Sequence, residues 1–269
     1  MDHPRPSTFA PFLSAGKSMS EEEYQEWYAQ EAWDPTRYPG LTVEHDLTPA
    51  SWLDPLLLHE SFKVEMSAPR GFESYARIFF PFHRTGIDEN GEWYEEWIRW
   101  AEMADKHGKV VHPLMEQETI ALGRDAGLQC SENMVGQQVE AILPVLGRHT
   151  TSPEGWFLLW EGFGNLNHDV LSESVPVVMH PMRNFFLLHG PLDAYQHFAD
   201  DPNFFWPDDR SWCLSSDTDF HWSYLAGGKA CVEEILATSV MDAVETAPEN
   251  PGRQWIDTIN DPDGEIPRD

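Results

Sequence analysis

The sequence predicts an α+β fold in which a helix-rich N-terminal half packs on a mixed or antiparallel sheet formed mainly by the C-terminal half. Two observations lead to this prediction. Before residue 150, most apolar side chains recur at the three- and four-residue spacing of amphipathic helices. After residue 150, short apolar runs at 156–160, 175–179 and 184–188 are bounded by glycine or proline, as buried strands are.

The N-terminal half is expected to hold one strand and five helices. The strand is predicted at 71–82, where alternate residues share a face. The helices are predicted at 20–33, 48–58, 92–108, 112–122 and 135–146. The helix at 92–108 is predicted from an apolar stripe that includes Trp93, Trp97 and Trp100, and Gly108 is its expected C-cap. Pro144 is expected to end or kink the last helix.

The C-terminal half adds a strand at 211–219 and helices at 192–200 and 229–237. A chain of 269 residues is long enough to bury a large core. The composition predicts a flexible leader at 1–19, a single α+β domain at 20–245, and a polar, proline-rich tail at 246–269.

The charge balance limits the classes of partner. Forty-six acidic residues face seventeen lysines and arginines, for a formal charge of -29. Nucleic acid is not expected as a partner, because phosphate binding needs basic side chains. Anionic membrane surfaces are excluded for the same reason. A basic protein partner fits the charge, since opposite fields steer association. Solubility alone is the other explanation for so acidic a chain.

The sequence favours a cytoplasmic location. The first residues lack a basic region followed by an apolar core, so no signal peptide is expected. The apolar runs are too short to span a bilayer. The cysteines are Cys130, Cys213 and Cys231, an odd number without CxxC spacing. This usage indicates a reducing compartment and argues against a cysteine-based zinc site.

Several phrases resemble a family of uncharacterised actinobacterial proteins. They include GFESYARIFFP at 71–81, WFLLWEGFG at 156–164, and the WPDDRSWC and YLAGG pattern between 206 and 228. The resemblance spans roughly residues 46–245 and implies no known activity. The family pattern carries Glu-x-Asp where this chain has Asp217 and Asp219. His221 is not part of that pattern, which weakens any role assigned to it.

The strongest group of chemical side chains is Asp217, Asp219 and His221. On a strand, these alternate residues would line one face. Two carboxylates and an imidazole can bind a divalent metal, with a further ligand from elsewhere. The candidates for that ligand, all near predicted strand ends, are His168, His180 and His189. A plain polar strand face is the alternative.

Arg210 follows Asp208 and Asp209 directly. It is predicted either to pair with Asp208, Asp209 or Asp217, or to clamp a substrate carboxylate or phosphate. Asp217, Asp219 and Arg210 are therefore the catalytic candidates. The binding candidates are Trp206, Asp209, Trp212 and Glu161. Arg77 and Arg183 lie beside strand aromatics and could meet Glu161 or the aspartates inside the fold.

Two functional hypotheses remain open. Familiar nucleotide-binding, metalloprotease and hydrolase motifs are missing from the sequence. The first hypothesis is therefore a non-enzymatic, protein-binding module, of which an immunity- or antitoxin-like role against a basic effector is one form. The second is a metal-dependent hydrolase or transferase using Asp217 and Asp219. The first needs no cofactor, and the second needs a divalent metal.

Overall fold

A computed structural model describes residues 32–59, 61–252 and 257–264. The strands are β1 Thr42–Val43, β2 Ser74–Phe79, β3 Phe82–Ile87, β4 Trp93–Ile98, β5 Gln129–Cys130, β6 Glu154–Trp160, β7 Val177–Val178, β8 Phe185–Pro191, β9 Phe204–Pro207, β10 Trp212–Ser216, β11 Trp222–Gly227 and β12 Asp242–Thr246. The helices are α1 Trp100–His107, α2 Gln117–Ile120, α3 Gly136–Arg148 and α4 Lys229–Leu236. The predicted leader and nearly all of the predicted helix at 20–33 lie outside the described residues.

Two antiparallel sheets make up the strand structure. The nine-stranded sheet has the order β1-β8-β6-β9-β10-β11-β2-β12, with β7 paired to β8. The second sheet has three strands in the order β4-β3-β5. Strand β2 lies between β11 and β12 in the large sheet, so the N-terminal half supplies one of its inner strands.

The large sheet is buried on both faces. Helices α3 and α4 cover one face through residues such as Ile142 and Val232. The opposite face is covered by the small sheet with α1 and α2, and by the segment around Ala50 and Leu53. Because a strand alternates its side chains between faces, Ile78 of β2 joins the first layer while its neighbours point to the second.

Arg77 is a charged side chain inside this second layer. It is fully buried and donates hydrogen bonds to the carbonyls of Pro113 and Met115. Its guanidinium carbon lies 3.5 Å from the centroid of the Trp222 ring. Burial lowers its pKa to about 10, so the group stays charged at neutral pH. Arg77 therefore acts as a core residue and does not meet the aspartates near residue 217.

The prediction of a helix-rich N-terminal half is wrong. Strands β1 to β5 all lie before residue 150, and much of the predicted helix at 92–108 is strand β4. Trp93 and Trp97 are four residues apart, and that spacing returns a side chain to the same face of a helix or of a strand. The pattern therefore did not distinguish the two structures. The fold is mostly β, built around a large antiparallel sheet.

Some of the other local predictions are confirmed, and others are wrong. Gly108 caps α1 in the left-handed conformation, with a φ of 64°, as predicted. The helix at 135–146 is confirmed as α3, but it continues through Pro144 to Arg148. The predicted helices at 48–58 and 192–200 are short 3-10 turns instead.

The described part of the predicted tail packs against the domain. Asp257 is completely buried, and its Oδ1 lies 2.9 Å from Nε2 of His112. Thr119 and Asn260 also hydrogen-bond to the Asp257 carboxylate. Within the described ranges, no helix reaches the length and apolar character needed to cross a bilayer.

Candidate functional site

The catalytic candidates lie at opposite ends of strand β10. Arg210 precedes this five-residue strand, whereas Asp217 and Asp219 follow it. At about 3.3 Å per residue, the two ends are roughly 17 Å apart. Arg210 therefore does not meet either aspartate, and the three residues do not form one site.

Asp217 and Asp219 belong to the turn between β10 and β11, so their predicted placement on a strand face is wrong. The amide of Phe220 donates to the Asp217 carbonyl at 3.0 Å, and the amide of Asp219 donates to Oδ1 of Asp217 at 2.9 Å. An aspartate that accepts its own downstream amide favours a turn over a strand.

Arg183 pairs with both aspartates of this turn. Its Nη2 lies 3.0 Å from Oδ1 of Asp217 and 2.5 Å from Oδ2 of Asp219. The guanidinium also lies 4.6 Å from the Trp160 ring centroid. Of the two alternatives predicted for Arg183, Glu161 or the aspartates, the structure shows pairing with the aspartates. Burial raises the pKa of Asp217, and the ion pair with Arg183 opposes this effect.

His221 does not complete a metal site with these aspartates. Its carbonyl accepts a hydrogen bond from the Phe80 amide, at the start of β11. Among the described residues, the one group whose ligand atoms have metal-like spacing lies elsewhere and contains none of Asp217, Asp219 and His221. Beside Asp217 and Asp219, the guanidinium of Arg183 supplies the positive charge that a bound cation would otherwise supply.

Two of the predicted binding residues lie in the core. Trp206 and Trp212 are completely buried. Trp212 donates its indole N–H to the Leu146 carbonyl at 3.0 Å, which ties β10 to helix α3. Glu161 is half-buried and accepts a hydrogen bond from Nδ2 of Asn184 at 2.7 Å. None of the three presents an open surface to a large ligand.

Asp209 fixes the turn that leads into β10. It accepts hydrogen bonds from the hydroxyls of Thr150 and Thr151 and from the amides of Thr151 and Ser211. Burial alone would raise the pKa of this carboxyl, but these hydrogen bonds outweigh it and hold the pKa well below its usual range. Arg210 has a positive φ of 53°, and its guanidinium lies 5.3 Å from the Trp52 ring centroid.

Among the described residues, exposed aromatic side chains gather on the β3–β4 hairpin, whose second strand falls in the predicted helix at 92–108. Trp93 is 69% exposed, Ile87 is 68% exposed and Trp97 is 42% exposed. In the hairpin register Ile87 faces Trp93, Thr85 faces Glu95 and His83 faces Trp97. Directly paired residues point to the same side of a sheet. We call this side the hairpin face, formed by His83, Thr85, Ile87, Trp93, Glu95 and Trp97.

Side-chain contacts hold the hairpin face in a fixed arrangement. The imidazole of His83 stacks on the Trp97 ring with centroids 4.4 Å apart. Its Nε2 lies 2.7 Å from Oε1 of Glu95. On the reverse side, Tyr94 lies over Gly86, where a Cβ atom would come within 2.7 Å of the phenol ring. A larger residue at position 86 would therefore displace Tyr94.

A buried carboxylate anchors the hairpin to the domain. Arg84 pairs with Glu96 at 2.9 Å on the hairpin and with Asp125 at 2.7 Å below it. Asp125 is almost fully buried and also pairs with Lys106 and His107 of α1. The hydrogen bond from Lys106 is the main reason that the pKa of Asp125 is lowered. These ion pairs connect the hairpin to helix α1 through Asp125.

The hairpin combines apolar area with negative charge. Strand β4 is at the edge of its sheet, and its residues up to Trp97 are exposed. Exposed edge strands with large apolar residues are uncommon on monomers and mark interaction surfaces. The acidic residues in or beside the hairpin are Asp88, Glu89, Glu92, Glu95 and Glu96. Residues 92–97 read EWYEEW, in which aromatic and acidic residues do not alternate, so the sequence carried no clear strand signal there.

We compared the chain with protein-family models, with curated proteins and with solved structures, and none of the three comparisons gave a match.

Proposed function

We propose that this protein is a non-enzymatic module that binds a basic protein partner through the hairpin face. The observation that supports the proposal is the pair of exposed tryptophans, Trp93 and Trp97, on one sheet face with Glu95 between them. Tryptophan is enriched where interfaces concentrate their binding energy, and it is costly to expose without a partner.

The chemistry of the hairpin face suits lysine and arginine side chains. A guanidinium or ammonium group can lie over an indole ring while it pairs with a neighbouring carboxylate. Glu95, whose Oε1 lies 2.7 Å from Nε2 of His83, supplies a carboxylate between the two rings. The formal charge of -29 on the whole chain would also accelerate the approach of a basic partner.

A pocket beside the hairpin extends the proposed interface. It has a volume of about 280 Å³, and its charged lining residues are Arg99, Glu102 and Asp242, beside Trp97. Asp242 is paired with Arg99 at 2.7 Å, which leaves Glu102 as the carboxylate most available to a partner. The size and charge of the pocket fit one basic side chain of the partner.

The form of the function that we propose is immunity- or antitoxin-like, with a basic effector as the partner, in the cytoplasm. All three cysteines are free and buried, which supports a reducing compartment. Nucleic acid remains an unsuitable partner on charge grounds. The metal-dependent alternative at Asp217 and Asp219 gains no support from the geometry, because Arg183 pairs with both.

The test is binding of a labelled basic peptide of about eight residues with alternating arginine and valine, a length that spans the hairpin when extended. Fluorescence anisotropy would measure the affinity for the full chain and for a Trp93→Ala/Trp97→Ala variant. We expect the variant to bind at least tenfold more weakly, equivalent to about 1.4 kcal/mol. The net charge is unchanged in this variant, so general electrostatic attraction cannot account for the loss.

A matched control is Met179→Ala/Met182→Ala, which removes two exposed apolar side chains away from the hairpin. We expect this variant to bind the peptide as tightly as the unmodified protein. Equal affinity for the tryptophan variant and the unmodified protein would overturn the proposal. An equal loss in the methionine variant would also overturn it, because the contact would then not be specific to the hairpin face.

A further inference from the structure

Three side chains at one rim of the large sheet have the spacing of metal ligands. Glu154, His189 and Asp208 each place one ligand atom so that all three atoms lie within 4.8 Å of one another. The Nε2 atom of His189 is 3.1 Å from Oδ1 of Asp208. This cluster lies at the Asp209 end of β10, far from the turn that holds Asp217 and Asp219.

The strand register explains how residues distant in sequence meet here. Strand β6 lies between β8 and β9, and Trp156 of β6 faces His189 on one side and Trp206 on the other. Residues two positions apart on a strand share a face. Glu154 is two residues before Trp156, and Asp208 is two residues after Trp206. Glu154 of β6 and His189 of β8 therefore share a face of the sheet, and Asp208 directly follows β9 beside them.

Neighbouring groups hold the cluster in place. Ser152 donates its hydroxyl to Oδ2 of Asp208 at 3.0 Å, and the Asp208 amide donates to the Glu154 carbonyl at 3.2 Å. The imidazole of His189 packs on the Trp156 ring with centroids 4.2 Å apart. Metal sites depend on such supporting contacts, which fix the orientation of each ligand before the ion binds.

The two carboxylates of this cluster are not paired with an arginine or a lysine, unlike the two carboxylates of the turn that holds Asp217 and Asp219. Among the ion pairs of the described residues, none involves Glu154, and Asp208 pairs only with His189. Two carboxylates thus converge on one imidazole without an arginine or lysine between them. At the Asp217 turn, Arg183 supplies the positive charge that is missing here.

We propose that Glu154, His189 and Asp208 bind a divalent first-row transition-metal ion of the Zn²⁺ class. One imidazole nitrogen and two carboxylate oxygens form a donor set that suits such ions. Mg²⁺ and Ca²⁺ fit less well, because they prefer ligand sets made entirely of oxygen. Three protein ligands on one side of the ion leave its remaining positions to water.

The test is calorimetric titration of the chelator-treated full chain with Zn²⁺ and, separately, with Mg²⁺. We expect one Zn²⁺ site and at least tenfold weaker binding of Mg²⁺. His189→Ala and Glu154→Gln should each weaken Zn²⁺ binding at least tenfold. Glu154 is exposed at the sheet rim, so Glu154→Gln should keep the fold. Far-UV circular dichroism of each variant confirms that folding is unchanged.

A matched control is His149→Ala. His149 is also a partly exposed histidine, and its Nε2 lies 2.7 Å from Oε2 of Glu234, but it lacks a third ligand. This variant should bind Zn²⁺ as the unmodified protein does. Zn²⁺ binding that survives both His189→Ala and Glu154→Gln would overturn the proposal, since the ion would then bind elsewhere. Absence of any Zn²⁺ binding to the full chain would overturn it as well.

Discussion

The two sheets of this protein use tryptophan in opposite ways. In the large sheet Trp206, Trp212 and Trp222 are buried, and they hold helices and loops onto the strands. In the small sheet Trp93 and Trp97 face outward from the hairpin. Asp208 and Asp209 lie between Trp206 and Trp212, as Glu95 and Glu96 lie between Trp93 and Trp97, so the local composition is similar. Position in the sheet decides whether the ring stabilises the fold or is available to a partner.

The first prediction concerns the free energy of unfolding, for which we expect the largest difference between a buried and an exposed tryptophan. Trp212→Ala should lower the free energy of unfolding by about 3–5 kcal/mol, because it empties a core position. Trp93→Ala should change it by less than about 0.5 kcal/mol, because the ring is mostly exposed. Urea denaturation followed by circular dichroism measures both values. Similar losses in the two variants would contradict the division between the sheets.

The second prediction concerns the buried carboxylate of Asp257, which hydrogen-bonds to Thr119 of α2. Asp257→Asn should cost about 3 kcal/mol, because the new amide N–H₂ would face donors that now bind a carboxylate. Burial opposes ionisation, but hydrogen bonds from His112, Asn260 and Thr119 prevail and hold the Asp257 pKa well below its usual range.

The lowered pKa gives this second prediction a pH dependence. The stabilisation from Asp257 is complete above the unfolded aspartate pKa of about 4 and is lost as pH falls through the lower folded pKa. The difference in stability between Asp257→Asn and the unmodified protein should therefore shrink on acidification. A difference that stays constant between pH 7 and strongly acidic pH would show that Asp257 is not held as an anion.

A smaller effect is expected at the Asp209 end of strand β10. Asp209→Asn should destabilise the protein by about 1 kcal/mol, since the amide group cannot accept all the hydrogen bonds from Thr150, Thr151 and Ser211. The folded pKa of Asp209 is lowered, so this contribution too is present at neutral pH and is lost in acid. Melting curves at neutral and acidic pH would show the loss at neutral pH only.

The smallest effect is expected at the other end of β10. Burial raises the pKa of Asp217, so its ionisation opposes folding as the pH rises above the unfolded pKa. Asp217→Asn should therefore leave stability at pH 7 within about 0.5 kcal/mol of the unmodified protein, or slightly higher. A marked loss in the same melting experiment would show that the pair with Arg183 stabilises the fold more than this account allows.

Part of the fold could be predicted from the sequence. The apolar runs at 156–160, 175–179 and 184–188 correspond to strands β6, β7 and β8, because short apolar runs bounded by glycine or proline are typical of strands. Strand β4 was missed because a four-residue spacing suits a helix as well as a strand. The strand predicted at 211–219 was too long, since Asp217 accepts the amide of Asp219 and forms a turn.

Less of the candidate functional sites could be predicted from the sequence. The segment that contains Trp206 and Trp212 looked like a site because it is dense in aromatic and acidic residues, yet both rings are core. The cluster of Glu154, His189 and Asp208 depends on the register of three strands, which a sequence pattern does not contain. The sequence left Glu161 and the aspartates as alternative partners for both Arg77 and Arg183, and only Arg183 pairs with the aspartates.

The central claim is that the tryptophans of the large sheet are core residues and those of the hairpin face bind a partner. Its most direct test is hydroxyl-radical footprinting of the full chain, with and without a saturating basic peptide. We predict that Trp93 and Trp97 are oxidised readily in the free protein and are protected severalfold by the peptide. Trp206 and Trp212 should resist oxidation in both states, because they are completely buried. Unchanged oxidation of Trp93 and Trp97 in the peptide-bound protein, or ready oxidation of Trp212 in the free protein, would contradict the account.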